Sequence, residues 1–167
     1  MQKLYCFSRQ DFNDYCKSRG WTSENYPENS AFISICNTVE GSEFLFVDEV
    51  THYFKTETPE IINLDFEDVT EPVVIYRGRP NRGISQEQAE KLCEFIERNQ
   101  DKDFYIHCEA GVSRSQGVVR YILDIYGEDH DFETLKSPYI NPNLYVTALL
   151  KRAYYKLKGY EDYNFTE

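Results

Sequence analysis

The run His107-Cys108-Glu109-Ala110-Gly111-Val112-Ser113-Arg114-Ser115 brings a thiol, a guanidinium and a hydroxyl into one short stretch, with a glycine between the first two. Apolar Phe104, Tyr105 and Ile106 precede it, and Val118, Val119, Tyr121, Ile122 and Ile125 follow at helical spacing. A strand that passes through a loop into a helix makes an anion site, because loop amides and the helix N-terminus both present N–H groups to the loop centre. The partial charges that hold a phosphate also favour the ionised form of a thiol. The segment therefore offers a nucleophile, Cys108, in a phosphate cradle lined by the amides of Glu109, Ala110, Gly111, Val112, Ser113 and Arg114. Arg114 suits two phosphate oxygens, since its planar fork donates to both.

Several elements must position this loop. Ser8 with Asp11 marks a helix start, carried on by Phe12, Tyr15 and Cys16 to a stop at Gly20. The apolar run from Ala31 to Cys36 reads as a buried strand, Glu43 to Val47 as a second, and Ile61 to Phe66 as a third with Ile62, Leu64 and Phe66 on one face. Val73 to Tyr76 reads as a short extended piece, and Thr51 to Phe54 is ambiguous. Ser85 and Gln88 form a capping box that opens a helix bearing Ala89, Leu92, Cys93, Phe95 and Ile96, ending near Asn99. Phe104 to His107 is the strand entering the loop. The helix after Arg114 should run to Tyr126, with Gly127 as its stop. Asn141-Pro142 reads as an N-cap and first helical residue, with Leu144, Ala148, Leu149, Ala153 and Leu157 facing inward on the last helix. Strands alternating with helices predict an α/β fold with a mostly parallel central sheet flanked by helices, and sites in such sheets collect at the carboxyl ends of strands.

The 167 residues suit a single domain, with an acidic tail from about residue 159 expected to fray. A net charge of −11 argues against general nucleic-acid or membrane affinity, so any attraction for an anion must be local. The one dense basic patch is Tyr76-Arg77-Gly78-Arg79-Pro80-Asn81-Arg82-Gly83, read as a solvated loop that could flank the site and meet acidic substrate residues. Five cysteines without a C-x-x-C pair favour neither disulfides nor zinc, and a cytoplasmic, reducing setting follows. His52 and His130 lack a partner at metal-ligand spacing and read as surface or loop histidines. Asn37 could brace the phosphate loop, but reads more naturally as a turn asparagine.

The motif His107-Cys108-x-x-Gly111-x-x-Arg114-Ser115 resembles the signature loop of cysteine-based protein tyrosine phosphatases, in particular the dual-specificity branch. A weaker similarity in element order spans roughly Ala31 to Tyr155. The resemblance implies a protein tyrosine phosphatase-like fold of the dual-specificity type and a metal-free, cofactor-free phosphomonoester hydrolase. The catalytic set it implies is Cys108, Arg114, Ser115, His107 and an upstream acid. Cys108 would form a cysteinyl-phosphate. Ser115 would bond the thiolate and help it leave, and His107 would fix the loop and tune the thiol. The family takes its general acid from an Asp some tens of residues upstream. Asp65, Glu67 and Asp68 are the candidates, and strand alternation, which puts Asp68 on the face of Leu64 and Phe66 just past the strand end, favours Asp68. A protonated acid beside an ionised thiol predicts a bell-shaped pH–rate profile with an acidic to neutral optimum.

The expected substrate is a phosphorylated protein, phosphotyrosine above all, handled by a monomer. Two alternatives stay open. One is a phosphatase of RNA 5′-phosphates or phosphoinositides, disfavoured because Glu109, Ala110, Val112 and Ser113 are not basic. The other is a module that binds phosphorylated ligands without turnover.

Overall fold

A computed structural model of the chain describes residues 1–38, 51–135 and 140–160. Five strands, β1 (Gln2–Ser8), β2 (Ser30–Cys36), β3 (Ile61–Asp65), β6 (Asp103–Cys108) and β7 (Phe132–Leu135), form one parallel sheet in the order β3-β2-β6-β1-β7. A separate antiparallel hairpin joins β4 (Val73–Tyr76) to β5 (Arg79–Arg82). Four helices are described: α1 (Arg9–Ser18), α2 (Gln86–Arg98), α3 (Arg114–Tyr126) and α4 (Leu144–Leu157). The α/β class with a parallel central sheet is thus observed. No helix among the described residues is long and apolar enough to cross a membrane.

The local signals act as their chemistry requires. Ser8 Oγ accepts the Asp11 N–H at 3.1 Å and caps α1. Ser85 and Gln88 exchange the two bonds of a capping box, at 3.1 and 3.0 Å, to start α2. Period-two burial then sorts the strand side chains onto two faces. Leu4, Ile33, Leu64, Phe104 and Ile106 join α2, α3 and α4 in one large, mostly aliphatic core. Their neighbours Phe32, Ile61 and Tyr105 join Phe12 and Cys16 of α1 in a smaller, aromatic one. There Tyr105 stacks on Tyr5 and Phe32, with centroids 4.6 and 5.1 Å apart.

Four readings need correction. β1, β5 and β7 are strands that the sequence pattern did not single out; the alternation of β1 is blurred because Tyr5 and Phe7 face a second core rather than water. The cap of α4 is Asn143, whose Oδ1 accepts the N–H groups of Tyr145 and Val146 at 3.1 and 3.3 Å. On this helix Val146, Thr147, Leu150 and Ala153 face inward, while Leu144, Ala148 and Leu157 are exposed. The basic stretch is no loose loop: Arg77 and Gly78, with φ of 50° and 74°, make the two-residue turn whose twist suits a hairpin. Thr51 to Phe54 takes no regular structure. The strand expected at Glu43 to Val47 and most of the acidic tail lie outside the described residues.

Candidate active site

β6 delivers Cys108 to the carboxyl edge of the sheet with the side chain 2% exposed, and α3 begins at Arg114. The loop between them is pressed against the end of β1. Gly111 has φ of +72°, and a Cβ there would lie 2.6 Å from the carbonyl carbon of Phe7, so no other residue fits this turn without moving backbone.

Five of the six carbonyls from Cys108 to Ser113, all but that of Ala110, are engaged by surrounding groups. Cys108 O lies 3.2 Å from His107 Nδ1, and Glu109 O accepts the Arg9 N–H at 3.1 Å. Gly111 O accepts Gln116 Nε2 at 3.1 Å; Val112 O and Ser113 O accept the N–H groups of Asn141 and Asn143 at 3.0 Å each. In a planar trans peptide the C=O and the following N–H point in opposite directions. Tying down these carbonyls therefore turns the amides of Glu109, Ala110, Val112, Ser113 and Arg114 the other way. Among the described residues, the amides of residues 109–113 donate to no protein acceptor. Such a set of uncommitted N–H groups at a helix N-terminus is a binding site for an oxyanion.

Three side chains complete the site. Cys108 Sγ and Ser115 Oγ are 3.0 Å apart and both buried. Arg114 is 5% exposed; its Nη1 donates to Asn37 Oδ1 and Phe66 O, both at 2.7 Å, while its buried Nε has no partner. A buried cation held on one side by an amide and a carbonyl, with a donor left over, calls for an anion. Asn37 is thus a brace rather than a simple turn residue. On the rim, the Glu109 carboxylate meets Arg9 Nε at 3.1 Å.

The three acid candidates separate cleanly. Glu67 is buried as a tie: its carboxylate accepts the N–H of Thr38 and of Arg82 at 3.0 Å each, joining the hairpin to the end of β2. Asp65 binds His52 Nε2 at 2.6 Å. Asp68 is exposed and reaches the loop after β6 itself, accepting Ser113 Oγ at 2.7 Å and Asn143 Nδ2 at 2.8 Å. The strand ends at Asp65, so alternation does not extend to residue 68: Phe66 and Glu67 are both buried. The contact with Ser113, not the register, brings Asp68 to the site. Asn143 was not singled out by sequence; a cap at the loop's edge has no signal beyond its residue type.

His107 is fully buried beneath the loop, its ring 4.4 Å from that of Phe12. Burial, reinforced by Arg9 and Arg114 and by His52, pushes its pKa down to about 3, outweighing the bond to Cys108 O, so it is neutral. Its Nε2 lies 2.6 Å from Ser34 Oγ, and Ser34 Oγ lies 2.6 Å from His52 Nδ1. Cys36 Sγ is 3.5 Å from that same nitrogen. Burial opposes a charge on His52, but the bonds to Asp65 and Cys36 outweigh it and raise its pKa to about 9. His52 and His130 both lie in loops, yet both are held by hydrogen bonds, His130 Nδ1 lying 2.6 Å from Gln2 Oε1.

Set against known proteins, the sequence matches no family model and no curated protein.

Proposed function

We propose that the protein is a phosphomonoester hydrolase of the cysteine-dependent protein tyrosine and dual-specificity phosphatase type, working through a cysteinyl-phosphate on Cys108. The observation that carries this reading is the loop after β6, whose carbonyls are tied away from a centre flanked by Cys108, Ser115 and the buried Arg114. The parallel sheet, with this loop at its carboxyl edge, supports a fold of the same type.

In the first step the Cys108 thiolate attacks phosphorus, the P–O ester bond breaks, and the leaving oxygen takes a proton from Asp68. Loop amides and Arg114 hold the equatorial oxygens as charge spreads over them. In the second step water attacks phosphorus, Asp68 accepts its proton, and the S–P bond breaks. Ser115 donates a hydrogen bond to the departing thiolate, and inorganic phosphate leaves.

A phosphorylated polypeptide suits the surroundings better than a polyphosphorylated small molecule. The loop side chains are not basic, and Glu109 stands at the rim. The hairpin rooted at Glu67, next to Asp68, carries Arg77, Arg79 and Arg82 with exposed Ile75, a basic and apolar arm for residues flanking a phosphoester. The five free thiols suit a reducing, cytoplasmic setting.

Phosphate release from an aryl phosphate and from phosphotyrosine, phosphoserine and phosphothreonine peptides tests the reading. Cys108→Ser should fall to background, and Arg114→Lys at least a hundredfold. A Cys108→Ser variant as fast as the wild type would overturn it.

A further inference from the structure

We propose that His52 and Ser34 are positioning residues: acting through His107, they fix the direction of the Cys108 carbonyl and so hold the root of the phosphate loop. The inference deepens the functional reading above and rests on it for its catalytic meaning.

The argument is one of matching donors to acceptors along the row Asp65–His52–Ser34–His107–Cys108 O. A carboxylate only accepts, and so does a carbonyl; Ser34 has one proton to give. With His52 charged, both its ring nitrogens donate, Nε2 to Asp65 and Nδ1 to Ser34. Ser34 then gives its proton to His107 Nε2, which fixes the proton of neutral His107 on Nδ1, where it donates to Cys108 O. Every contact is satisfied. With His52 neutral, its remaining proton stays on Nε2 facing Asp65, and Nδ1 becomes an acceptor. Either Ser34 turns to His52 and His107 must hold its proton on Nε2, setting a lone pair against Cys108 O, or two lone pairs meet at 2.6 Å between Ser34 and His52. One bond is lost in each case.

The orientation of this carbonyl matters because its peptide partner is the Glu109 N–H, the first amide of the cradle. The row also has an opening to solvent, since the Asp65 carboxylate is half-exposed while the His52 side chain is 14% exposed. The groups facing it are few. Cys36 of β2 and Asp65 of β3 face His52, and Arg9 of α1 and Arg114 of α3 act on His107, with Phe12 of α1 packed on its ring. None of the latter three accepts a proton from His107, so its tautomer is set by its two hydrogen-bond partners: Cys108 O, which always favours a proton on Nδ1, and Ser34, which supports or opposes that choice.

The test combines nitrogen NMR of His107 with steady-state kinetics, using Ser34→Ala, which deletes one oxygen, and His52→Asn, whose amide can offer an N–H near the Nδ1 position. In the wild type, His107 should carry its proton on Nδ1, and that signature should change as His52 loses its proton. In Ser34→Ala the His107 signature should become insensitive to His52, because the link between them is cut, and kcat on an aryl phosphate should fall about ten- to a hundredfold with KM unchanged. His52→Asn should keep the Nδ1 proton and most of kcat, and lose the pH response. A wild-type His107 protonated on Nε2, or a Ser34→Ala variant whose His107 still responds to His52 or whose kcat is unchanged, would overturn the inference. The NMR arm runs equally well in Cys108→Ser, so a protein that hydrolyses no phosphoester would sink the functional reading and still leave the tautomer relay decided on its own.

Discussion

The two faces of the central sheet are built from the same strands, yet they do different work. On one face Ala31, Ile33 and Ile35 of β2 and Phe104 and Ile106 of β6 are sealed under α2, α3 and α4. On the other, β2 presents Phe32, Ser34 and Cys36, and β6 presents Tyr105 and His107: aromatic first, then polar toward the carboxyl edge. Cys108, next in line after His107, returns to the first face and meets Ser115 of α3. Cys108 therefore rests on the apolar face, while the hydrogen bonds beneath its peptide belong to the buried polar end of the other. Stability and tuning are separated by one residue of alternation.

That contrast can be broken from either side. The largest effect should come from the apolar face. Phe95→Ala, at a fully buried position, should cost about 3–5 kcal/mol of unfolding free energy in urea melts, with kcat per folded molecule little changed. Next, Asp68→Asn should lower kcat about a hundredfold on a phenyl ester and flatten the alkaline limb of the pH–rate profile, while the unfolding free energy moves by less than about 1 kcal/mol. An unchanged kcat would remove Asp68 from the acid role.

Thermal melts against pH should then report on the buried polar end of the second face. His107 is held down at about 3 and binds its proton only when unfolded between there and the ordinary histidine value of 6.5, so its stabilisation is present above pH 6.5 and is lost as pH falls toward 3. His52, held up at about 9, acts in the opposite sense: its stabilisation is present below pH 6.5 and is lost as pH rises through 9. Together they place the maximum of Tm between about pH 6 and 7. Ser34→Ala should disturb this balance, and Phe95→Ala should lower the whole curve without moving its peak. Smallest of all, Tyr5→Leu should cost about 0.5–1.5 kcal/mol, the worth of its stacking on Tyr105, and leave kinetics untouched.

Where a residue's partner is close in sequence, the fold was legible from the chain. Ser8 caps α1 through Asp11, Ser85 and Gln88 box the start of α2, and the loop from Cys108 to Ser115 carries its own offsets. Where partners lie far apart, residue type alone was mute. Asn37 and Arg114 meet across 77 positions, and Ser34 and His107 across 73. Ser34, in the middle of an apolar run, looks like any small strand residue until β6 is laid beside it. Asp68 was reached by a register that does not hold, and is joined to the loop instead by Ser113 and Asn143.

The place of β1 in the sheet has a kinetic consequence. It lies between β6 and β7, pairing Leu4 with Phe104 on one side and Thr134 on the other. During synthesis it leaves the ribosome about 100 residues ahead of β6 and about 130 ahead of β7, and must wait unpaired, or in transient company, until they emerge. Such long-range pairing slows folding. The end of β1 also forms the wall against which Gly111 is pressed. The loop after β6 therefore cannot take its final shape on a nascent chain until β1 has been set between β6 and β7, both made long after it.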